Sequence, residues 1–225
     1  MKRIFKGLVI LLLLAVIALL AWGWESDRDP AVLRAKYSNA ASQFVDVGGG
    51  LTMHVRDEGK RDGPVLVLLH GSNSSLQTWE PWVARLGGKY RVISFDQIGH
   101  GLTGPNPAHD YTAKAFVDTA DALLTKMGVE KFALGGNSMG GWVAWHFALA
   151  HPEKLTALIL VDAAGAPNSE SKSVPLGFKI ARMPVFKTLM LHVTPRGVFD
   201  KTVHQTLSND TIITDKMIDT YWELA

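Results

Sequence analysis

The chain contains no cysteine. That absence excludes a disulfide scaffold, thiolate zinc sites, a cysteine nucleophile and lipidation at cysteine. A basic surplus is missing too: 23 Lys and Arg stand against 21 Asp and Glu, for a net charge of +2. Lys2, Arg3 and Lys6 at the N-terminus account for that surplus, so the remainder has no basic face of the kind nucleic-acid binding needs. No nucleic-acid partner is expected. Apolar residues are plentiful: 47% hydrophobic against 20% charged over 225 residues excludes wholesale disorder and suffices for a packed core in one domain or two.

Charge is also missing locally. Gly7 to Trp24 has no charged residue and is dominated by Leu, Ile, Val and Ala. As a helix it is about 27 Å long, and Ile4 and Phe5 extend it toward the thickness of a bilayer core. A buried soluble helix is disfavoured because the run has no polar face. A cleaved signal peptide needs small residues around the cut, and the one candidate, Ala21-Trp22-Gly23, carries a bulky Trp. An uncleaved anchor fits better. Trp22 and Trp24 suit the interface, Lys2, Arg3 and Lys6 precede the span, and Glu25, Asp27 and Asp29 follow it. The expected organisation is a cytoplasmic N-terminus over 1–6, a transmembrane signal anchor over 7–24, a connector over 25–41, a core over 42–162 and a helical region over 163–225. The core is expected outside the cytoplasm, periplasmic or extracellular.

The core pattern alternates strands and helices. Gln43 to Val47 and Leu51 to Glu58 flank Gly48-Gly49-Gly50, a hairpin signal. Val65 to Leu69 and Tyr90 to Phe95 are continuous apolar runs, as in strands buried on both faces. Trp79 to Leu86 reads as helical. Phe116, Ala120, Leu123, Leu124 and Met127 recur at helical spacing between a capping Thr112 and a closing Gly128. Phe132 to Leu134 reads as a strand, Met139 to Ala150 as a helix and Leu155 to Val161 as a strand. Strands separated by helices imply parallel crossovers, so the fold class is α/β, a mostly parallel sheet with helices on both faces. Beyond Asp162, helical stretches are interrupted by Pro184 and Pro195, and no comparable strand follows.

The chemistry is expected at strand ends. Gly136-Asn137-Ser138-Met139-Gly140 matches G-x-S-x-G, between a strand and a helix. That is the context of a nucleophile elbow, where the two glycines admit a crossing backbone and the serine hydroxyl stands above the sheet. The competing reading is a glycine-rich packing turn around an ordinary serine. An acyl-transfer serine also needs donors for the developing oxyanion. The N–H of Met139 is one, and the N–H of Ser72, in the loop His70-Gly71-Ser72-Asn73 after a buried strand, is the other. For His70 itself a buried, hydrogen-bonded role is expected.

Taken together, His70-Gly71, Asp96-Gln97-Ile98-Gly99-His100-Gly101 and Gly136-Asn137-Ser138-Met139-Gly140-Gly141 resemble the α/β-hydrolase superfamily, over Gln43 to Asp162. Asn137 and the doubled glycine are similar to carbon–carbon bond hydrolases and related esterases. Relatives that use Asp at the elbow, the dehalogenases and epoxide hydrolases, differ at Ser138. The resemblance implies that Asp96 to Gly101 is structural, so His100 is not the base. It also implies that the helical stretches after Asp162 are the start of a cap, and that a histidine and an acid follow later strands; no such strands are found. His192 and His204 follow the last strand in helical contexts, and Asp162 ends that strand where some relatives keep their acid. The chain therefore reads as a piece of a longer hydrolase.

The expected function is a membrane-anchored serine hydrolase cleaving a small, apolar ester-like substrate, with Ser138 as nucleophile, Ser72 and Met139 as oxyanion donors and Asp162 as the candidate acid. No metal or organic cofactor is expected. The alternatives are a carbon–carbon bond hydrolase and a membrane-tethered binding module without catalysis.

Overall fold

The computed structural model describes residues 27–165, 193, 195–207 and 209–224, with scattered positions between 6 and 24. Eight of the eighteen residues over 7–24 and all of the stretch over 166–192, including His192, lie outside the described residues. Among the described residues, no helix is long and apolar enough to cross a membrane.

The chain forms two compact units. The larger takes in residues 29–167 and 223–225. It begins with helix α1 (Pro30–Tyr37), inside the stretch expected to be a connector. Asp29 caps α1 by accepting the Ala31 N–H at 2.8 Å, and Pro30 occupies the first turn, where a missing N–H costs nothing. The hairpin β1 (Ser42–Gly48) and β2 (Leu51–Gly59) follows. Gly48, Gly49 and Gly50 all have positive φ, a conformation that glycine adopts without Cβ strain.

Strands β3 (Val65–Leu69), β4 (Arg91–Phe95), β5 (Phe132–Asn137) and β6 (Leu155–Val161) complete a six-stranded sheet in the order β1-β2-β4-β3-β5-β6. β1 with β2 and β2 with β4 are antiparallel; β4, β3, β5 and β6 run parallel. Between β3 and β4 lie a 3-10 turn (Leu76–Trp79) and helix α2 (Glu80–Leu86). Helix α3 (Ala113–Lys126) precedes β5 and helix α4 (Met139–Ala150) follows it. Thr112 caps α3 through the Ala115 N–H, and Gly128, at φ 68°, turns the chain out of it.

Alternation along the strands explains the two layers. Val67, Leu69, Ile93, Phe95 and Leu134 pack on one face with Phe116, Val117, Leu123 and Leu124 of α3 and Val143, Ala144 and Phe147 of α4. Leu66, Leu68 and Val92 face the other way, against Trp79, Val83 and Leu86. The continuous apolar runs are therefore strands covered on both faces.

The second unit holds residues 1–28 and 168–222. Its described helices are α5 (Arg196–Thr206) and α6 (Asp215–Glu223), the last residue of which belongs to the larger unit. Arg196 joins them, with ion pairs to Asp219 at 2.6 Å and Asp215 at 2.8 Å.

Candidate active site

The end of β5 is pinned on both sides, Gly136 against Leu69 of β3 and Asn137 against Val161 of β6. One residue later the chain turns into α4. Ser138 makes that turn at φ 52° and ψ −113°, a backbone that an L residue rarely adopts. Its N–H donates to the Val161 carbonyl at 3.0 Å, and its own carbonyl accepts from the Trp142 and Ala164 N–H groups at 3.0 Å each. A Cβ at Gly136 would collide with the Gly140 carbonyl, and one at Gly140 with the carbonyls of Leu69 and His70. Those two glycines are what the crossing of strand and helix requires.

Met139 is the first residue of α4, so its N–H is among those the helix leaves without an internal partner, at the positive end of the dipole. The loop after β3 runs alongside. The Cβ position of Gly71 lies 3.4 Å from Ser138 Cβ and 3.1 Å from Asn137 Oδ1. Ser72 follows in an exposed turn, with Asn73 at φ 52°. Gly71 and Ser138, with Met139 next to it, are thus brought together at the ends of β3 and β5, and Ser72 is the next residue of the β3 loop.

His70 is fully buried and has a fixed tautomer. Its Nε2 accepts the Gln97 N–H at 3.0 Å, so the proton sits on Nδ1, which donates to the Gly71 carbonyl at 2.8 Å. Burial lowers its pKa to about 4, so the ring is neutral near pH 7. It shapes the loop and has no free nitrogen for base catalysis. His100 donates through Nδ1 to the Ile98 carbonyl, 3.0 Å away, and burial lowers its pKa as well.

Asp162 stands at the exit of β6, exposed, at φ 47°. Among the described residues no histidine forms an ion pair with it, and none hydrogen-bonds Ser138. His204, on α5 in the smaller unit, lies 3.1 Å from Asp210 and 3.5 Å from Asp200, with its side chain 47% exposed. No metal-binding cluster of His, Asp and Glu occurs among the described residues.

A linked serine, histidine and aspartate do occur elsewhere, unforeseen from the sequence. His54 Nδ1 lies 2.7 Å from Asp96 Oδ2, and His54 Nε2 lies 2.9 Å from Ser42 Oγ. His54 and Asp96 are fully buried. Asp96 also accepts the Leu76 N–H at 2.8 Å on Oδ1 and the Leu102 N–H at 2.9 Å on Oδ2. Burial alone would raise its pKa, but His54, with His70 and the Leu76 N–H, outweighs it and holds the carboxyl below the usual range. Gly101 lacks a Cβ where the Asp96 carboxylate sits. The Ser42 hydroxyl already accepts the Asn39 N–H at 3.1 Å and lies in a strand, without an elbow or a helix N-terminus behind it. This cluster ties β1 and β2 to two loops and lacks the parts that acyl transfer needs. Alternation along β2 puts His54 on the face of Thr52, Arg56 and Glu58, so no local pattern marked it as buried, and its partner is 42 positions away.

Comparison with known proteins places these features in a family. The chain is 33% identical over 146 residues to cis-3-alkyl-4-alkyloxetan-2-one decarboxylase of Xanthomonas campestris pv. campestris, covering 61% of this chain and 49% of the relative. It is 31% identical over 122 residues to 2-hydroxymuconate semialdehyde hydrolase of Pseudomonas sp. (strain CF600), covering 53% and 42%. A solved structure titled as a membrane phospholipase A, a bacterial virulence factor, superposes with a TM-score of 0.61 at 25% identity, covering 91% of this chain and 64% of that one. The chain thus spans less than half the length of these two curated relatives. Residues 64–188, more than half of the 225, match the family described as alpha/beta hydrolase fold. With the parallel sheet and the strand–elbow–helix built around Ser138, the chain belongs to the alpha/beta hydrolase family.

Proposed function

We propose that this chain carries the nucleophile of a serine hydrolase that cleaves carboxylic esters of small, apolar substrates. Ser138 Oγ attacks the carbonyl carbon, the N–H groups of Ser72 and Met139 hold the oxyanion, the alcohol leaves, and water releases the acyl-enzyme. The observation that carries the reading is the strained Ser138 backbone between Gly136 and Gly140 at the start of α4. The likeness to a phospholipase structure supports an ester bond. Asp162 is exposed and has no histidine partner among the described residues, which favours an acid at another position. The test is covalent labelling of full-length protein by a fluorophosphonate probe. Labelling confined to Ser138 is expected. No labelling would move the assignment to a binding module without catalysis.

A second reading, cleavage of a carbon–carbon bond in a diketone-like substrate, draws on the similarity to 2-hydroxymuconate semialdehyde hydrolase. Turnover of a vinylogous diketone with no turnover of aryl esters would favour it.

The apolar run Gly7 to Trp24, with basic residues before it and acidic ones after it, supports a membrane anchor with the core outside the cytoplasm. Alkaline carbonate extraction should leave the protein in the membrane pellet; release into the supernatant would exclude the anchor.

A further inference from the structure

The loop that presents Gly71 and Ser72 to the elbow is fastened at two points. At its start, His70 accepts the Gln97 N–H on Nε2, and its carbonyl accepts Gln97 Nε2 at 2.7 Å. At its end, the Leu76 N–H donates to Asp96 Oδ1 at 2.8 Å. Asp96 and Gln97 are adjacent in the loop after β4, so one loop holds both ends of the other. Only Gly71 to Ser75 lies between the fastenings.

The second fastening depends on the Asp96 carboxylate remaining an acceptor. Two backbone N–H groups, of Leu76 and Leu102, point at it in a site closed to water. A buried carboxylate without a compensating donor takes up a proton. A protonated Asp96 would carry a donor where other donors already point. His54 Nδ1, at 2.7 Å, adds a side-chain donor to those two N–H groups and favours the ionised form. Its ring is itself held, stacked on Phe44 at 5.0 Å between centroids and contacting Ser42 Oγ at 2.9 Å. The His54 backbone continues the same network: its N–H donates to Thr103 Oγ1 at 2.9 Å, and Thr103 Oγ1 donates to the Asp96 carbonyl at 2.7 Å.

We propose that His54 is a positioning residue: by donating to Asp96 it holds the Leu76 end of the loop that sets Gly71 and Ser72 beside Ser138. The link to reactivity rests on the reading of Ser138 as nucleophile; the link to loop geometry does not.

Two conservative variants separate the ring nitrogens. His54→Asn places an amide N–H where Nδ1 was and keeps the donor to Asp96. His54→Gln reaches the Nε2 position, keeps the contact with Ser42 and loses the donor to Asp96. Both lose the ring stacked on Phe44, so a general loss of packing would affect them alike. Amide hydrogen exchange in the full-length protein should be about tenfold faster at Leu76 in His54→Gln than in wild type, a scale consistent with losing one hydrogen bond to a charged group. In His54→Asn it should stay within about threefold of wild type. The maximal rate of Ser138 labelling by a fluorophosphonate should fall about tenfold in His54→Gln, with an unchanged half-saturating probe concentration, and recover in His54→Asn. Equal exchange at Leu76 in the two variants, or faster exchange in His54→Asn, would overturn the proposal. If wild-type protein is not labelled at Ser138, the nucleophile reading fails, and Leu76 exchange still decides the positioning role.

Discussion

Two serines in this protein invite comparison. Ser42 is joined to a histidine and, through it, to an aspartate, at 2.9 Å and 2.7 Å. Ser138 has no histidine partner among the described residues, yet it has the strained backbone, the helix N-terminus and the adjacent Gly71-Ser72 loop. The first is a finished hydrogen-bond network in which a backbone N–H already occupies the serine oxygen. The second is a half-buried turn whose serine hydroxyl has no hydrogen bond to a histidine among the described residues. A Ser-His-Asp sequence of contacts is therefore not enough to identify a nucleophile. What distinguishes one is a hydroxyl held away from the backbone's own donors, with other donors aimed at where charge will develop.

The sharpest way to break this comparison is to remove each hydroxyl. Ser138→Ala should cut fluorophosphonate labelling of the full-length protein by at least about 10³-fold, the scale on which triad serines matter. Ser42→Ala should leave it intact. Intact protein mass spectrometry reads both, and the reverse pattern would make the buried cluster the reactive one.

The next effect concerns the buried histidine behind the elbow. His70 titrates at about 4 in the folded chain, against an ordinary value of 6.5. As pH falls between those values the unfolded chain takes up a proton that the folded chain refuses, so stability is lost with acidification. The stabilisation is complete above pH 6.5 and falls by about 3 kcal/mol on approach to pH 4, as proton linkage requires. His100, also depressed by burial, adds a loss of the same sign. Asp96, depressed by His54, contributes its own loss only at lower pH. Urea unfolding at a series of pH values measures this, and His70→Asn, which cannot titrate, should flatten the fall.

A smaller effect separates strained from relaxed backbone. Ser138→Gly should stabilise the fold by about 1 kcal/mol in the same unfolding assay, because glycine relieves the cost of φ 52°. Ser42→Gly, in an ordinary strand, should instead destabilise by about 0.5–1 kcal/mol. A loss of stability in both would mean the elbow stores no strain.

The smallest effect is expected at Asp162. Asp162→Asn keeps a residue that tolerates its φ of 47°, removes no ion pair with the described residues, and should change stability by less than about 0.5 kcal/mol. Ser138 labelling should change by less than about twofold; a fall toward 10⁴-fold would make Asp162 the acid after all.

How much of this was legible without the fold varies by element. Val65 to Leu69 and Leu155 to Val161 coincide with β3 and β6 because continuous apolar runs bounded by turns carry their own signal. The cap of α3 by Thr112 and its exit at Gly128 were legible for the same reason. Helix α1 was missed although Asp29 and Pro30 are its cap and first residue, because its eight residues show weak apolar periodicity and sit among loop-like neighbours. The 3-10 turn before α2 leaves no distinct sequence pattern, since it uses the same residues as a helix.

Sequence by itself determined the elbow. Gly136, Ser138 and Gly140 lie within five residues, and the steric need for each is met by the turn they form, so the pattern carries its own geometry. Tertiary structure alone decided what surrounds it. His54 and Asp96 are 42 positions apart and meet because β2 pairs with β4, out of chain order; Leu76 joins them because β3 is inserted on the far side of β4. Strand order follows from how whole helices and strands cover one another, and no local period records it. The residues that act through a turn could therefore be read from the chain, and the residues that hold that turn in place could be found only where the strands bring them together.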